Sequence, residues 1–501
     1  MRIGYCLALA GLFAAYVGLA AVVPPADDEL YYWCWAQTPQ LSYFDHPPMT
    51  AYMIRASTAV FGDSLVAVRL PAIVTTLAVL VVVGWLAVPR KDVPVPLLAP
   101  RFSFGAVIVT PDTPLLLFWS LYVAWLVVVH RKLTPLVGRV ESSRPDVAHP
   151  SGLEDSTRPT NPVPLWLWAL GGLILGCGML GKYTTGLAVP AGFVSFVLAR
   201  TNWKTWLPGY ALQGVVATVV FLPVIAFNIE RDFAPMKFQW NHAMVAKTPG
   251  IKPFAEFAGM QILLVGTLPF LLLPIVAWNW RRLAAEPKMR ACAAMFAIPF
   301  AFFLYKATRG PLEGNWGLAC FVSCWPIAAD WFDRVAREKP WLKWTTVGTF
   351  AIPAACVLLV TAHLVHPLSF FPPQHDRITR QAVKLDLAMK AASDANAHGK
   401  MPMYVTNYQW TALMRFAGAD ARQIDGATRP SHFTTPAQHL TDVDKAYVLN
   451  DGPLPPNLTE GFGPPEVIGW YPLEVRGKLM TAMMLMVYTR TEPRGKVSAS
   501  R

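Results

Sequence analysis

Apolar residues in this chain are gathered into long runs separated by short polar stretches. The runs cover residues 3–23, 69–88, 93–110, 114–130, 164–181, 183–200, 206–227, 259–279, 291–305, 315–331 and 344–366. A helix needs about 20 mostly apolar residues to cross the hydrocarbon core of a bilayer. The pattern therefore predicts about eleven transmembrane helices. Several runs fall slightly short, and 93–110 is the weakest because it holds Arg101, Pro94, Pro96 and Pro100. The first run also fits a cleaved leader, with Ala20-Ala21 ahead of a cleavage site. Either way the segment after it lies outside. Residues 133–163 are polar and rich in Pro and Ser, which predicts a flexible inner loop.

After residue 366 the pattern changes. Short apolar stretches at 402–406, 445–449 and 480–488 alternate with amphipathic helical patterns at 378–394 and 408–417. The chain thus divides into a membrane domain, 1–366, and a small extracytoplasmic α/β domain, 367–501, whose last ten residues read as disordered.

Composition and charge fit this division. Charged residues are 15% of the chain and hydrophobic residues 54%, against roughly 25% charged in an average soluble chain. The net charge is +12, but it is no nucleic-acid signal. Arg90, Lys91, Arg131, Lys132, Arg200, Lys204, Arg281, Arg282, Lys288 and Arg290 all fall on one side of the threading, as cytoplasmic loops of membrane proteins do. The other side receives 24–64, 228–258, 306–314 and the tail. Seven cysteines, mostly inside apolar runs, argue against a disulfide framework. Cys320 and Cys324 lack His or acidic partners nearby and read as core.

The outer segments carry the candidate chemistry. Residues 24–55 combine Asp28, Glu29, Asp45 and His46 with Tyr31, Tyr32, Trp33 and Tyr43. Aromatic faces stack on sugar rings, and a carboxylate can remove a hydroxyl proton. The competing reading is a solvated loop with an interfacial aromatic belt. Asp112, in Thr110-Pro-Asp-Thr-Pro114, sits at an outer turn, where capping of the next helix is its default use. Gly176 to Lys182 has the spacing of a phosphate-binding loop, but Tyr183 stands where Ser or Thr would hold magnesium, so nucleotide binding is rejected. The glycines instead allow close helix packing, as in Gly172-xxx-Gly176. Lys182, between two apolar runs, is a functional candidate. Arg231, Lys237, Lys306 and Arg309 are cations on the outer face, against the general bias, and suggest an anionic ligand such as a phosphate.

These residues carry a family likeness. Asp28-Glu-Leu-Tyr-Tyr-Trp33, Tyr43-Phe-Asp-His-Pro-Pro-Met49, Arg69-Leu-Pro71, Thr110-Pro-Asp-Thr-Pro114 and Gly181-Lys-Tyr183 occur in that order. The chain resembles glycosyltransferase family 39, the membrane superfamily of protein O-mannosyltransferases and the bacterial lipid A aminoarabinose transferase. The likeness is strong over 20–240 and slight in the tail. It implies a GT-C fold and a sugar donor carried on polyprenyl phosphate. It further implies Asp28 as catalytic base with Glu29 beside it, Asp112 as second acid of the site, and Lys182 on the donor phosphate. His46 stands where some relatives carry a lysine. Arg231, Lys237, Lys306 and Arg309 are further candidates for the phosphate, and Tyr31, Tyr32, Trp33, Tyr43 and Asp45 for acceptor or sugar.

The chemistry agrees. Outside the cytoplasmic membrane there are no nucleotide sugars, so an outward-facing transferase needs a lipid-linked donor. Its phosphate is a good leaving group. The remaining needs are a base for the acceptor hydroxyl and cations for the developing phosphate charge. Direct displacement inverts the anomeric centre. No ligand spacing demands a divalent ion, which stays an option. The expected partners are a polyprenyl-phosphate sugar, membrane lipids and an envelope acceptor: lipid A, lipopolysaccharide core, another glycan or a protein. The expected location is the inner membrane of a bacterium with the C-terminal domain in the periplasm. A transporter or flippase for a lipid-linked sugar is the alternative, but the chain shows no paired halves with interrupted helices. A third reading is a non-catalytic envelope assembly protein that docks through its tail.

Overall fold

The apolar runs fold as helices, but fewer of them are straight spans than their number suggests. The computed structural model describes residues 3–87, 105–134, 163–244, 249–338, 342–434 and 438–492. Its membrane part contains α1 (Ile3–Val22), α2 (Asp27–Gln37), α3 (Met49–Phe61), α4 (Leu65–Ala87), α5 (Asp112–Leu133), α6 (Leu165–Met179), α7 (Ala188–Leu198) and α8 (Leu207–Ile229). It continues with α9 (Ala234–Met244), α10 (Ile251–Val265), α11 (Leu268–Trp278), α12 (Trp280–Ala285), α13 (Pro287–Ala307), α14 (Leu318–Glu338) and α15 (Leu342–Val365). Among the described residues, α4, α5, α8 and α13 are long and apolar enough to cross a bilayer alone, and the total rises to six if two bent pairs each count as one span.

The expected eleven spans are thus not all present as such, and the reasons are local. The run 259–279 breaks at Gly266, whose φ of 80° favours glycine, and α10 and α11 meet at 102°. The run 183–200 begins with a 3-10 turn, Tyr183–Leu187, so α7 keeps only 11 residues. Residues 93–104 of the weakest run, 135–162 of the inner loop, and the tail from 493 lie outside the described residues. The first outer segment, read as a loop, is in fact helical: α1 and α2 meet at 95°, and α3 follows.

Close packing of α6 on α8 rests on missing side chains. A Cβ on Gly172 would stand 2.5 Å from the Gln213 carbonyl oxygen, and one on Gly176 would stand 2.6 Å from Val220 Cβ. Small residues let helix backbones approach in a membrane, where lipid gives no hydrophobic drive to associate. Cys320 and Cys324 are buried in the main core and unpaired, as expected.

The C-terminal part has α16 (Arg377–His398) and α17 (Tyr408–Phe416) against five strands: β1 (Met403–Val405), β2 (Ala421–Gln423), β3 (Lys445–Asn450), β4 (Glu466–Val475) and β5 (Lys478–Thr489). The order is β2-β1-β3-β5-β4, with β1 parallel to both neighbours and β3, β5 and β4 antiparallel. Arg476 and Gly477, at φ of 50° and 76°, make the two-residue turn between β4 and β5, the kind that matches strand twist.

This part is not separate from the rest. Leu30, Tyr31, Trp35, Tyr43 and Ile54 of the first outer segment share one buried core with Leu387, Ala391, Met403, Leu413 and Phe433. The boundary drawn at residue 366 therefore cuts the sequence but not the core. At the junction His363 pairs through Nε2 with Asp376 Oδ1 at 2.9 Å, and Arg476 Nε meets Asp376 Oδ2 at 3.2 Å. The backbone N–H of Leu368 donates to His363 Nδ1 at 3.0 Å, so Nε2 carries the ring proton.

The glycine seam makes a prediction. Gly176→Leu should push α6 off α8 and lower the melting temperature of the detergent-solubilised protein by an amount equivalent to about 1–3 kcal/mol. Gly186→Ala, where a Cβ meets nothing within 4 Å, should not. Equal melting of both variants would show that the seam is not tightly packed.

Candidate active site

The geometry begins with Arg69 on α4. Both Arg69 and Glu29 side chains are 0% exposed. Arg69 Nε donates to Glu29 Oε1 at 3.0 Å, and Nη2 donates to Oε2 at 2.7 Å. Its other N–H groups donate to the carbonyls of Ala20 and Val23 through Nη1 and of Pro24 through Nη2. These are carbonyls at and just beyond the end of α1, which has no further turn to accept them. The Val109 N–H donates to Glu29 Oε1 at 3.3 Å, so the same carboxylate fixes the segment leading to α5. Glu29, expected beside the base, is therefore a corner brace and faces away from solvent. Adjacent side chains on a helix point about 100° apart, so Asp28 faces elsewhere.

Asp28 is the accessible acid of that turn. Tyr408 Oη, on α17, donates to Asp28 Oδ1 at 2.9 Å. The carboxylate keeps open surface, yet protein crowds around it. That crowding raises its pKa above the usual carboxylate value; the Tyr408 bond opposes the rise, Asp27 and Asp45 add to it, and Arg429 opposes it. Tyr32 lies buried beside it and feels the charges of Asp28, Asp45 and Asp112, which, with burial as the larger cause, push its phenol well up. The three carboxylates thus converge around Tyr32, whose ring also meets His46 edge-on at 6.3 Å.

A second buried pair stands at the start of α5. Asp112 opens α5, and Lys182 Nζ sits 2.8 Å from its Oδ1. Asn315 Nδ2 donates to the other oxygen. Lys182 also lies over the Trp316 ring at 5.8 Å. The cavity beyond has a volume of about 410 Å³. Lys182, Lys306 and His46 supply its polar atoms, with Gln239, and its walls are Trp240, Phe302, Phe303, Leu312, Trp316 and Met236. Two buried ammonium groups inside an apolar wall suit an anionic head on a hydrocarbon tail.

The other expected residues are placed as follows. Asp45 is buried, accepting from Tyr31 Oη at 2.6 Å and pairing with Arg429 Nη1 at 2.7 Å. Tyr43 stacks on Trp35 with centroids 4.5 Å apart and donates to the Trp35 carbonyl. Tyr31 packs on Tyr408 and Phe433, and Trp33 packs on Phe416 and donates to Asp63. These four belong to the seam with the C-terminal domain and do not line the cavity. Arg231 pairs with Glu230 at 3.1 Å and covers Phe227. Lys237 and Arg309 are exposed and do not line the cavity. Of the four outer cations, only Lys306 joins Lys182. Among the described residues no group of three or more His, Cys, Asp or Glu gathers to hold a metal ion.

Tyr408 and Arg429 escaped the sequence reading. The amphipathic pattern at 408–417 marked a helix, and nothing in the order of residues said that it meets Asp28 from 380 positions away.

Comparisons with known proteins bear on the class and the fold. Residues 45–136 match the family described as dolichyl-phosphate-mannose-protein mannosyltransferase. The chain is 21% identical over 91% of both chains to a lipid A galacturonosyltransferase, RgtD, of Rhizobium johnstonii. It is 27% identical, over 40% of this chain and 39% of the relative, to an undecaprenyl phosphate-α-4-amino-4-deoxy-L-arabinose arabinosyl transferase of Pectobacterium carotovorum. In fold it is similar to ArnT from Cupriavidus metallidurans in the apo state, with a TM-score of 0.62 and 14% identity over 96% of this chain and 98% of that one. The same ArnT bound to undecaprenyl phosphate gives 0.61 and 14%, over 97% and 98%. Fold and site define a polytopic membrane glycosyltransferase of the GT-C class. Within that class, the chain is most readily compared with glycosyltransferase family 39, whose mannosyltransferase model its residues 45–136 match.

Two neighbouring carboxylates should respond differently to neutralisation. Glu29→Gln leaves Arg69 buried without a counter-charge and should cost about 3–5 kcal/mol of stability, seen as a lower melting temperature and poor recovery from membranes. Asp28→Asn should melt close to wild type. Wild-type melting of Glu29→Gln would show that the brace is dispensable.

Proposed function

We propose that the protein transfers a sugar from a polyprenyl-phosphate carrier to a hydroxyl of an envelope acceptor, lipid A or another glycan, on the outer face of the inner membrane. The observation that carries this reading is the cavity in which Lys182 and Lys306 stand within aromatic and aliphatic walls, with Asp28 beyond Tyr32. Two relatives support the donor class: one is named as using undecaprenyl phosphate-linked aminoarabinose, and an ArnT structure holds undecaprenyl phosphate. The lipid A galacturonosyltransferase supports the acceptor class.

In this reading Lys182 and Lys306 hold the donor phosphate, with His46 at the rim. As the glycosidic bond breaks, negative charge grows on the phosphate oxygen, and ammonium groups already fixed beside it stabilise that charge without reorganisation. Asp112 fixes Lys182 and keeps its charge balanced until the donor arrives. Asp28 accepts the proton of the acceptor hydroxyl while the oxygen attacks the anomeric carbon from the side opposite the phosphate. The anomeric centre inverts in one displacement. Tyr32 lies between the two halves and keeps them in one geometry. The C-terminal domain, on the periplasmic side in this reading, covers α2 and leaves the acceptor to approach along its edge.

The reaction makes its own test. Mass spectrometry of envelope glycolipids from cells with and without the gene should reveal one sugar mass missing from one acceptor; unchanged glycolipids and glycoproteins would overturn the reading. Asp28→Asn should lower transfer at least about a hundredfold, the usual worth of a general base. Full activity in a membrane-inserted Asp28→Asn protein would remove it as base. The base works ionised, so transfer should fall as pH drops through the Asp28 pKa. Because burial raises that pKa, the acid limb should lie above the ordinary value of about 4. A limb at or below that value would contradict the assignment.

A further inference from the structure

The C-terminal domain does more than cover α2. It contributes a chain of polar contacts that ends on Asp28. Tyr31 Oη donates to Asp45 Oδ2 at 2.6 Å, and Asp45 Oδ1 pairs with Arg429 Nη1 at 2.7 Å. Arg429 lies over the Tyr408 ring, 4.3 Å from its centroid. Tyr408 Oη then donates to Asp28 Oδ1 at 2.9 Å. A cation on the ring face draws electron density from the phenol and makes its O–H a stronger donor. The phenol itself stays protonated, because burial and the Asp28 charge hold its pKa up.

This arrangement leaves the two oxygens of Asp28 unequal. Oδ1 is taken by Tyr408, and among the described residues Oδ2 has no hydrogen-bond partner. A carboxylate that rotates freely offers either oxygen in any direction. One pinned at Oδ1 presents Oδ2 in a fixed direction, which is what proton transfer in a single displacement needs. Resting on the reading of Asp28 as base, we propose that Tyr408 is a positioning residue of the transfer reaction, and that the site is complete only when the C-terminal domain seats it on α2.

The groups facing Asp28 come from four elements. Asp27 precedes it on α2 and is itself paired with Lys384 of α16 at 3.0 Å. Tyr32 follows on the same helix. Asp45 comes from the segment before α3, paired with Arg429 from beyond β2. Tyr408 comes from α17 and is the one that touches the carboxylate. Removing its hydroxyl removes a bond made to the ionised form, so the Asp28 pKa should rise further.

Tyr408→Phe tests this, since the ring that packs on Tyr31 at 4.7 Å is retained. The full-length protein in detergent is treated with dicyclohexylcarbodiimide, which attacks protonated carboxyls, across a range of pH. Labelling of Asp28 is then located by peptide mass spectrometry. In Tyr408→Phe the half-point of labelling should move to higher pH, and transfer in membranes supplied with their own lipid-linked sugars should slow by about tenfold to hundredfold. Arg429→Gln, which keeps the phenol and removes the cation behind it, should move the half-point the same way by less. Should Tyr408→Phe not be recovered, this second variant decides the matter. A labelling curve unmoved in both overturns the proposal, because mere packing does not set a carboxyl's titration. An Asp28→Asn protein with full transfer would instead overturn the base reading, while the labelling result would still report whether Tyr408 holds Asp28.

Discussion

One arginine holds the outer end of this molecule in shape. Arg69 directs five N–H bonds at five acceptors: both Glu29 oxygens and the carbonyls of Ala20, Val23 and Pro24. A helix that ends inside protein leaves carbonyls without partners, and an unpaired buried charge is worse still. Arg69 solves both problems with one planar group, whose fork geometry fits such a set. The consequence is the 95° corner between α1 and α2. With Glu29 locked inward, Asp28, one residue earlier, is turned to another face. Through Val109 the same carboxylate also fixes the approach to Asp112.

The second organising feature is charge balance around a hole. Lys182 is nearly buried, and a lone ammonium there would be costly, but Asp112 stands at 2.8 Å and Trp316 faces it. An anion that enters the cavity meets a cation already desolvated and already aimed. The carboxylate that steadies this lysine is itself steadied by Asn315 at the start of α14. Elements distant in sequence, α5, α6 and α14, therefore meet at one ion pair.

Much of this was legible in the sequence, and the parts that were not have physical reasons. Apolar runs located most membrane helices, because burial in lipid demands continuous hydrophobicity. They could not reveal that 259–279 bends at Gly266 or that 183–200 starts as a 3-10 turn, since a broken helix is as apolar as a straight one. Asp28, Asp112 and Lys182 stood out as charges at the ends of apolar runs. Glu29 stood out equally, and only the three-dimensional partner Arg69 separates it from Asp28. The aromatic residues from 31 to 43 were ambiguous for a related reason. A ring that stacks on sugar and a ring that stacks on Phe433 or Trp35 look the same in one dimension. Lys237 and Arg309 share the charge of Lys306, but only the folded chain shows that they stay exposed outside the cavity. The strands β2 and β4 left weak marks, the first because it has three residues and the second because its first half is largely exposed.

The shared core of α2 and the C-terminal domain carries a consequence for how the protein is made. Asp27 and its partner Lys384 are 357 residues apart. During synthesis α2 reaches the membrane surface long before α16 and α17 exist, with Tyr31 and Trp35 still bare. Every helix between them must be inserted first. Asp28 acquires its contact with Tyr408 only when translation is nearly finished, so in a nascent or truncated chain its carboxylate stands unpinned.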